Sequence, residues 1–283
     1  MEIMKVLVMW VLLGSLSVAA QSGVSARVPP RPVADIIQLV PSILHNNPKA
    51  ELAPYLEEIR ASYKTDPSVL NALGPVFASN LSDPDPVVQA KTLGILYGLT
   101  VDNVDPSLEL SLSKSLASLL GSRDEYTQRM AILVISNMRE AAPDVIISGL
   151  TSVLQNAASS ADLSEAAAGV LMISRPNDVA AEDAVVSAIN DPKLPIANRK
   201  SILHASANSK VGVKIVDNVV KIANASIDRE LRDTAIGAAI RIGSRGLVAI
   251  SATAQRVSQD HEESEQSRQI ASYALEVLAR SAH

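Results

Sequence analysis

The sequence predicts an all-α protein: a solenoid of about seven helical hairpins behind a short export segment. Three observations predict it. Apolar residues recur at helical spacing along most of the chain. Hydrophobic residues make up 47% of it but aromatics only 2%, with one Phe and one Trp. Finally, one position occupied by a small residue returns at intervals of 39, 36, 34, 34 and 36 residues. A core built from Ala, Val, Ile and Leu without aromatic bulk suits thin layers of closely packed helices.

The chain opens with an address. Met1 to Lys5 carries a positive charge at Lys5, and Val6 to Leu16 is an apolar run, VLVMWVLLGSL. Ser17, Val18, Ala19 and Ala20 then offer a small-residue site, with cleavage expected after Ala19 or Ala20. The run is shorter than the ~20 residues a membrane span needs, and no later segment is apolar enough to span one. Residues 1–20 therefore read as a signal peptide, and the mature protein as periplasmic or secreted, without stable membrane insertion. Residues 21–34, QSGVSARVPPRPVA, read as a linker, because Pro29, Pro30 and Pro32 favour extended polyproline backbone. The PxxP spacing of Pro29 and Pro32 arises often by chance and adds nothing to that reading. Residues 35–283 read as one solenoid domain.

The repeat is clearest from Leu73 to Leu99, LGPVFASNLSDPDPVVQAKTLGILYGL. It reads as helix, tight turn, helix. The turn SDPDP supplies Asp caps and first-turn prolines that start the second helix. On that helix Val88, Leu93, Ile95, Leu96 and Leu99 form one apolar face. The pattern returns as Ala131, Val134, Ile135 and Met138; as Leu163, Ala167, Val170 and Leu171; as Leu231, Ala235, Ala238, Ala239 and Ile242; and as Ala271, Ala274, Leu275 and Leu278. The small column through these helices reads Thr92, Ala131, Ala167, Ser201, Ala235, Ala271. Small residues there let neighbouring helices approach, and each hairpin buries its face on the next. In the fourth copy, IANRKSILHASAN, the register places Ser201 in the column and His204 on the inward face, with a one-residue slip open.

These residues resemble HEAT repeats. The second-helix pattern of that family is similar to Leu231-Arg232-Asp233-Thr234-Ala235 and, more loosely, to Val88-Gln89-Ala90-Lys91-Thr92. Pro75 matches its first-helix proline and Asp83 its turn aspartate. The resemblance covers about residues 67–281 and is carried by columns rather than by any single repeat. It implies a right-handed α-solenoid. The hairpins are expected at about 35–64, 67–100, 106–140, 143–174, 178–207, 209–242 and 244–281. Pro41 and Pro54 are expected to interrupt the helices of the first. The last has a polar turn, QDHEESEQSR, suited to a capping end.

Catalytic constellations are not visible. There is no Cys, which excludes disulfides, thiolate metal sites and cysteine nucleophiles. Of the four histidines, His45, His204, His261 and His283, no two have metal spacing on a helix. His204 reads as a buried, hydrogen-bonded core residue, and His261 and His283 as solvated. Ser111-Leu-Ser-Lys114 matches SxxK of the penicillin-recognising enzymes, but its companion motifs are missing. Gly243 to Gly246 reads as an interhelical turn, and Asp83 with Asp85 as capping rather than calcium binding. The sequons at Asn80 and Asn224 read as surface asparagines at helix ends. No cofactor or metal is expected.

The net charge of −5 and pI near 5.4 disfavour nucleic acid, which wants a basic face. What remains is a scaffold holding a protein or peptide partner on the curved face of its stack. The alternatives are a structural part of an envelope assembly and, least supported, an enzyme with an unrecognised site. The candidate stripe comprises the residues just before the small column, expected to point away from the core: Gln89, Arg129, Glu165, Asn198, Arg199, Arg232, Asp233 and Arg268. Stacked arginines suit carboxylate or phosphate partners. The competing reading, which the resemblance to HEAT repeats implies, is a ladder in which the arginines bridge to turn acids of neighbouring repeats, and that reading is favoured.

Overall fold

A computed structural model describes residues 32–41, 43–44, 53–66, 68–99, 106–138, 144–174, 178–207 and 210–281. The expected signal peptide and nearly all of the expected linker lie outside them. Among the described residues there are fourteen α-helices and no strand. They are α1 (Val33–Pro41), α2 (Ala53–Thr65), α3 (Ser68–Leu81), α4 (Pro86–Gly98), α5 (Pro106–Leu120), α6 (Glu125–Ser136) and α7 (Asp144–Gln155). The second half holds α8 (Ala161–Ser174), α9 (Val179–Asn190), α10 (Ile196–Ser206), α11 (Val213–Ala225), α12 (Arg229–Ile242), α13 (Ser244–Gln259) and α14 (Glu265–Ser281). No described helix is long and apolar enough to cross a membrane.

Five of the even helices, α4, α6, α8, α12 and α14, start on side-chain caps. Asp85 accepts from Val87 N at 2.8 Å, Asp124 from Thr127 N at 2.9 Å and Ser160 from Leu163 N at 3.2 Å. Asp228 accepts from Leu231 N and Ser264 from Ser267 N, each at 3.0 Å. Each bond satisfies an amide that the helix itself leaves free. Seven residues after each cap sits the small column: Thr92, Ala131, Ala167, Ala235 and Ala271, all 0% exposed. In α10 the cap is Pro195, which makes no side-chain bond, and the seventh residue is Ile202, also 0% exposed. The register there is one residue later than expected. Ser201 is half-buried, and His204 moves outward to an exposed position instead of the core.

The helices alternate between two layers. Each odd helix packs on the odd helices before and after it, and each even helix on its even neighbours. From α3 to α14, the two helices of each hairpin also pack on each other. One apolar cluster runs from Ile36 in α1 to Ala274 in α14, with Phe77, the single Phe, fully buried. This order is consistent with a helical repeat.

Three details differ from expectation. Pro41 is the last residue of α1 and Pro54 lies in the first turn of α2, so they bound those helices rather than interrupt them. Proline is tolerated in a first turn, where its missing N–H has no partner to lose. Asn80, near the end of α3, is only 5% exposed and is not a surface asparagine. The turn expected at Gly243 to Gly246 shortens to one residue, Gly243, because Ser244 to Gly246 already belong to α13; Gly243 has φ 87°, a conformation that favours glycine. Its N–H reaches the carbonyls of Ala239 and Ile240 at 3.1 and 3.2 Å.

Candidate functional site

The eight stripe residues do not form one outward ridge. Counted from the caps, they fall on neighbouring columns of the even helices with different partners. The column four residues after the cap folds back on its own hairpin. Gln89 donates from Nε2 to the carbonyl of Asp83 at 2.7 Å, and Arg199 from Nε to that of Ile189 at 2.6 Å. Gln128, not singled out in the sequence, does the same to Leu120 at 2.8 Å. These acceptors lie at or just beyond the end of the hairpin's first helix, where carbonyls lack intrahelical partners.

Arg232 shares that column but reaches forward. Its Nη1 and Nη2 donate to Oε1 and Oε2 of Glu263 at 2.6 and 2.7 Å. Glu263 lies in the turn between α13 and α14, so the bidentate pair ties α12 to the next hairpin. The two side chains are 8% and 6% exposed. Arg232 holds the Glu263 carboxyl below the usual glutamate range, outweighing the opposing effect of burial. Asp233 adds a 3.2 Å contact to Arg232 and accepts from Ser267 Oγ of α14 at 2.5 Å. Arg268, in the same column of α14, forms no side-chain hydrogen bond or ion pair with any described residue.

The column five residues after the cap crosses to the next hairpin on the surface. Arg129 lies 3.5 Å from Asp162 of α8 and 3.4 Å from Glu125 of its own helix. Lys200 lies 2.8 Å from Glu230 of α12. The shifted register of α10 hid Lys200 from sequence reasoning, which chose Arg199 instead. Glu165 meets His204 Nδ1 of α10 at 3.2 Å, both side chains well exposed. Asn198, expected to point outward, is 4% exposed. The same shift places it with Leu163 and Leu231 on the inner face. Its Nδ2 donates to the Ser159 carbonyl at 2.7 Å and to Ser164 Oγ at 3.0 Å, joining α10 to α8.

Buried Asn198 and Arg232 thus depart from the outward stripe. Across the eight residues, the contacts formed run within a hairpin or between successive hairpins. Among the described residues no three His, Asp or Glu side chains converge as metal ligands. Asp85 acts as a cap, as described above.

No family model matches this chain, and no curated protein matches it. Two engineered proteins of known crystal structure are similar to it in part. One is 16% identical over 86% of this chain and 68% of its own, with a TM-score of 0.44. The other is 15% identical over 87% of this chain and 99% of its own, with a TM-score of 0.34.

Proposed function

We propose that this chain is an exported, HEAT-like right-handed α-solenoid that serves as a scaffold, holding a protein or peptide partner along its even-helix face. The observation that carries the reading is the packing order. Among the described helices, extensive contacts reach only one or two helices along the chain. A chain built that way spends its apolar surface on its neighbours and presents a long, repeated face, which is how solenoids bind. The hairpin lengths and the column seven residues after each cap support the HEAT-like assignment. Polar side chains of the candidate columns bond within their own hairpin or to the next one, which supports the ladder reading for them. The partner face then lies along the exposed middle of the even helices, where Gly169 and Gly237 have open space over their Cα atoms.

Export is part of the proposal. Residues 1–20 carry the charge, apolar run and small residues of a cleavable signal. Trp10 is the single Trp, so the mature protein is expected to emit as tyrosine only. Tryptophan emission from protein purified from the native host would mean that the segment is retained.

Affinity capture from extracts of the native host tests the scaffold. The expected result is a stoichiometric protein partner whose capture falls when Gly169→Gln and Gly237→Gln fill the open face, with the melting temperature not lowered. Turnover in a panel of hydrolase substrates, without a stoichiometric partner, would overturn it.

A further inference from the structure

The outer face of α14 holds a copy of a contact that is satisfied one hairpin earlier. Arg268 and Arg232 both stand four residues after their caps, Ser264 and Asp228. Arg232 grips a carboxylate from the next turn at 2.6 and 2.7 Å. No described residue offers Arg268 an equivalent.

Burial identifies the same face as an uncovered one. Eight residues after the caps stand Leu93, Ile132, Ala168, Leu203 and Ile236, all buried. That position lies one turn along from the residues that reach the following hairpin. Its counterpart in α14 is Ser272, which is exposed. Beside it Tyr273 is 53% exposed, and Arg268, Ser272 and Tyr273 line a shallow depression of about 480 Å³ together with Glu265. Tyrosine and arginine are the residue types that anchor protein interfaces.

The charges of this face choose between occupants. Glu276 is matched by Arg280 at 2.5 Å on its own helix. Glu265 accepts from Gln269 at 3.1 Å, and a carboxylate has capacity for further donors. What remains is one cation, Arg268, and one anion, Glu265, on one face. An acidic partner would meet Glu265, and a basic one Arg268. A second copy related by a twofold axis meets neither conflict, because each Arg268 then faces the other copy's Glu265.

We propose that the outer face of α14 is a self-association surface on which two copies pair about a twofold axis, Arg268 of each copy gripping Glu265 of the other. Tyr273 lies beside the pair in the same interface. The proposal is separate from the partner face on the even helices and stands or falls without it.

Charge reversal tests it by sedimentation velocity on the full chain over a range of concentrations. The wild type is expected to dimerise in the micromolar range. Arg268→Glu and Glu265→Arg should each weaken the dimer at least ~10-fold, since like charges then face each other. The double variant should restore it to within ~3-fold, because the pair is rebuilt with its signs exchanged. Far-UV circular dichroism and melting temperature should hold across the set, as Glu265 is exposed and half-buried Arg268 bonds to no described side chain. A wild type that stays monomeric overturns the proposal, even if it captures some acidic protein. So does a dimer indifferent to the single reversals, or one that the double variant fails to restore.

Discussion

Between α6 and α8 the charges that cross from one hairpin to the next lie in water. Arg129 is 41% exposed and Asp162 75%, at 3.5 Å. Between α12 and α14 they lie inside: Arg232 and Glu263 are 8% and 6% exposed, at 2.6 Å. Both junctions tie a second helix to the hairpin that follows it, through arginines one residue apart in the repeat. The difference teaches that the repeat fixes where a contact falls, while burial fixes what it is worth. An exposed pair gains little because water screens it and two long side chains must be held still. A buried pair is desolvated, so losing one partner strands a charge in the interior.

The largest expected effect follows from that contrast. Glu263→Ala should cost about 3–5 kcal/mol, since it strips buried Arg232 of its bidentate partner and leaves it only the edge contact with Asp233. Asp162→Ala should cost under about 1 kcal/mol. Urea unfolding of the two variants checks both. Equal midpoints would break the comparison. Replacing both members, Arg232→Met with Glu263→Leu, should recover most of the loss, because an apolar pair carries no desolvation cost.

Acid sharpens the same point. The folded-state pKa of Glu263 lies below its ordinary value of 4.5, chiefly through its hydrogen bonds with Arg232. Its ionised form therefore contributes stability that is present above the ordinary value. That stability is lost as pH falls through the lowered folded value. Unfolding midpoints measured from pH 7 down to pH 3 should fall more steeply in the wild type than in Glu263→Gln. Parallel profiles would remove Glu263 from the acid response.

The register of α10 gives a comparison within one helix. Ile202→Ala should cost about 2–5 kcal/mol, as for any fully buried aliphatic side chain. Ser201→Ala should stay within about 0.5 kcal/mol. The reverse order would restore the register expected from the sequence. The smallest effect has the opposite sign. Gly237 lies inside α12, and apart from its own helix backbone no described residue comes within 4 Å of a Cβ added there. Gly237→Ala should therefore stabilise by about 0.5–1 kcal/mol, read as a rise in melting temperature.

The all-helical fold was legible because its signals are local. SDPDP announces a turn, and Asp85 caps α4 as such a turn should. The spacing of Val88, Leu93 and Leu96 gives the buried face directly. The register of α10 was not legible in the same way. Pro86 is the first residue of its helix, but Pro195 stands at the cap with φ −53° and ψ 142°. Reading the second proline like the first moves the column from Ile202 to Ser201. That single step put His204 inside and Asn198 outside. The candidate site was less legible still, because its contacts span distant positions. Arg232 and Glu263 are 31 residues apart, and the turn QDHEESEQSR reads as solvated although one of its glutamates is buried. Polarity in a turn does not say which residue the next helix covers.

The central claim is that the hairpins form an open stack, and small-angle X-ray scattering of the mature protein tests it most directly. A compact globule of about 250 residues has a radius of gyration near ~18 Å. The account predicts a clearly larger radius and an asymmetric distance distribution with a long tail for the monomer. A radius near ~18 Å with a symmetric distribution would mean that the ends fold back on each other, and would contradict it.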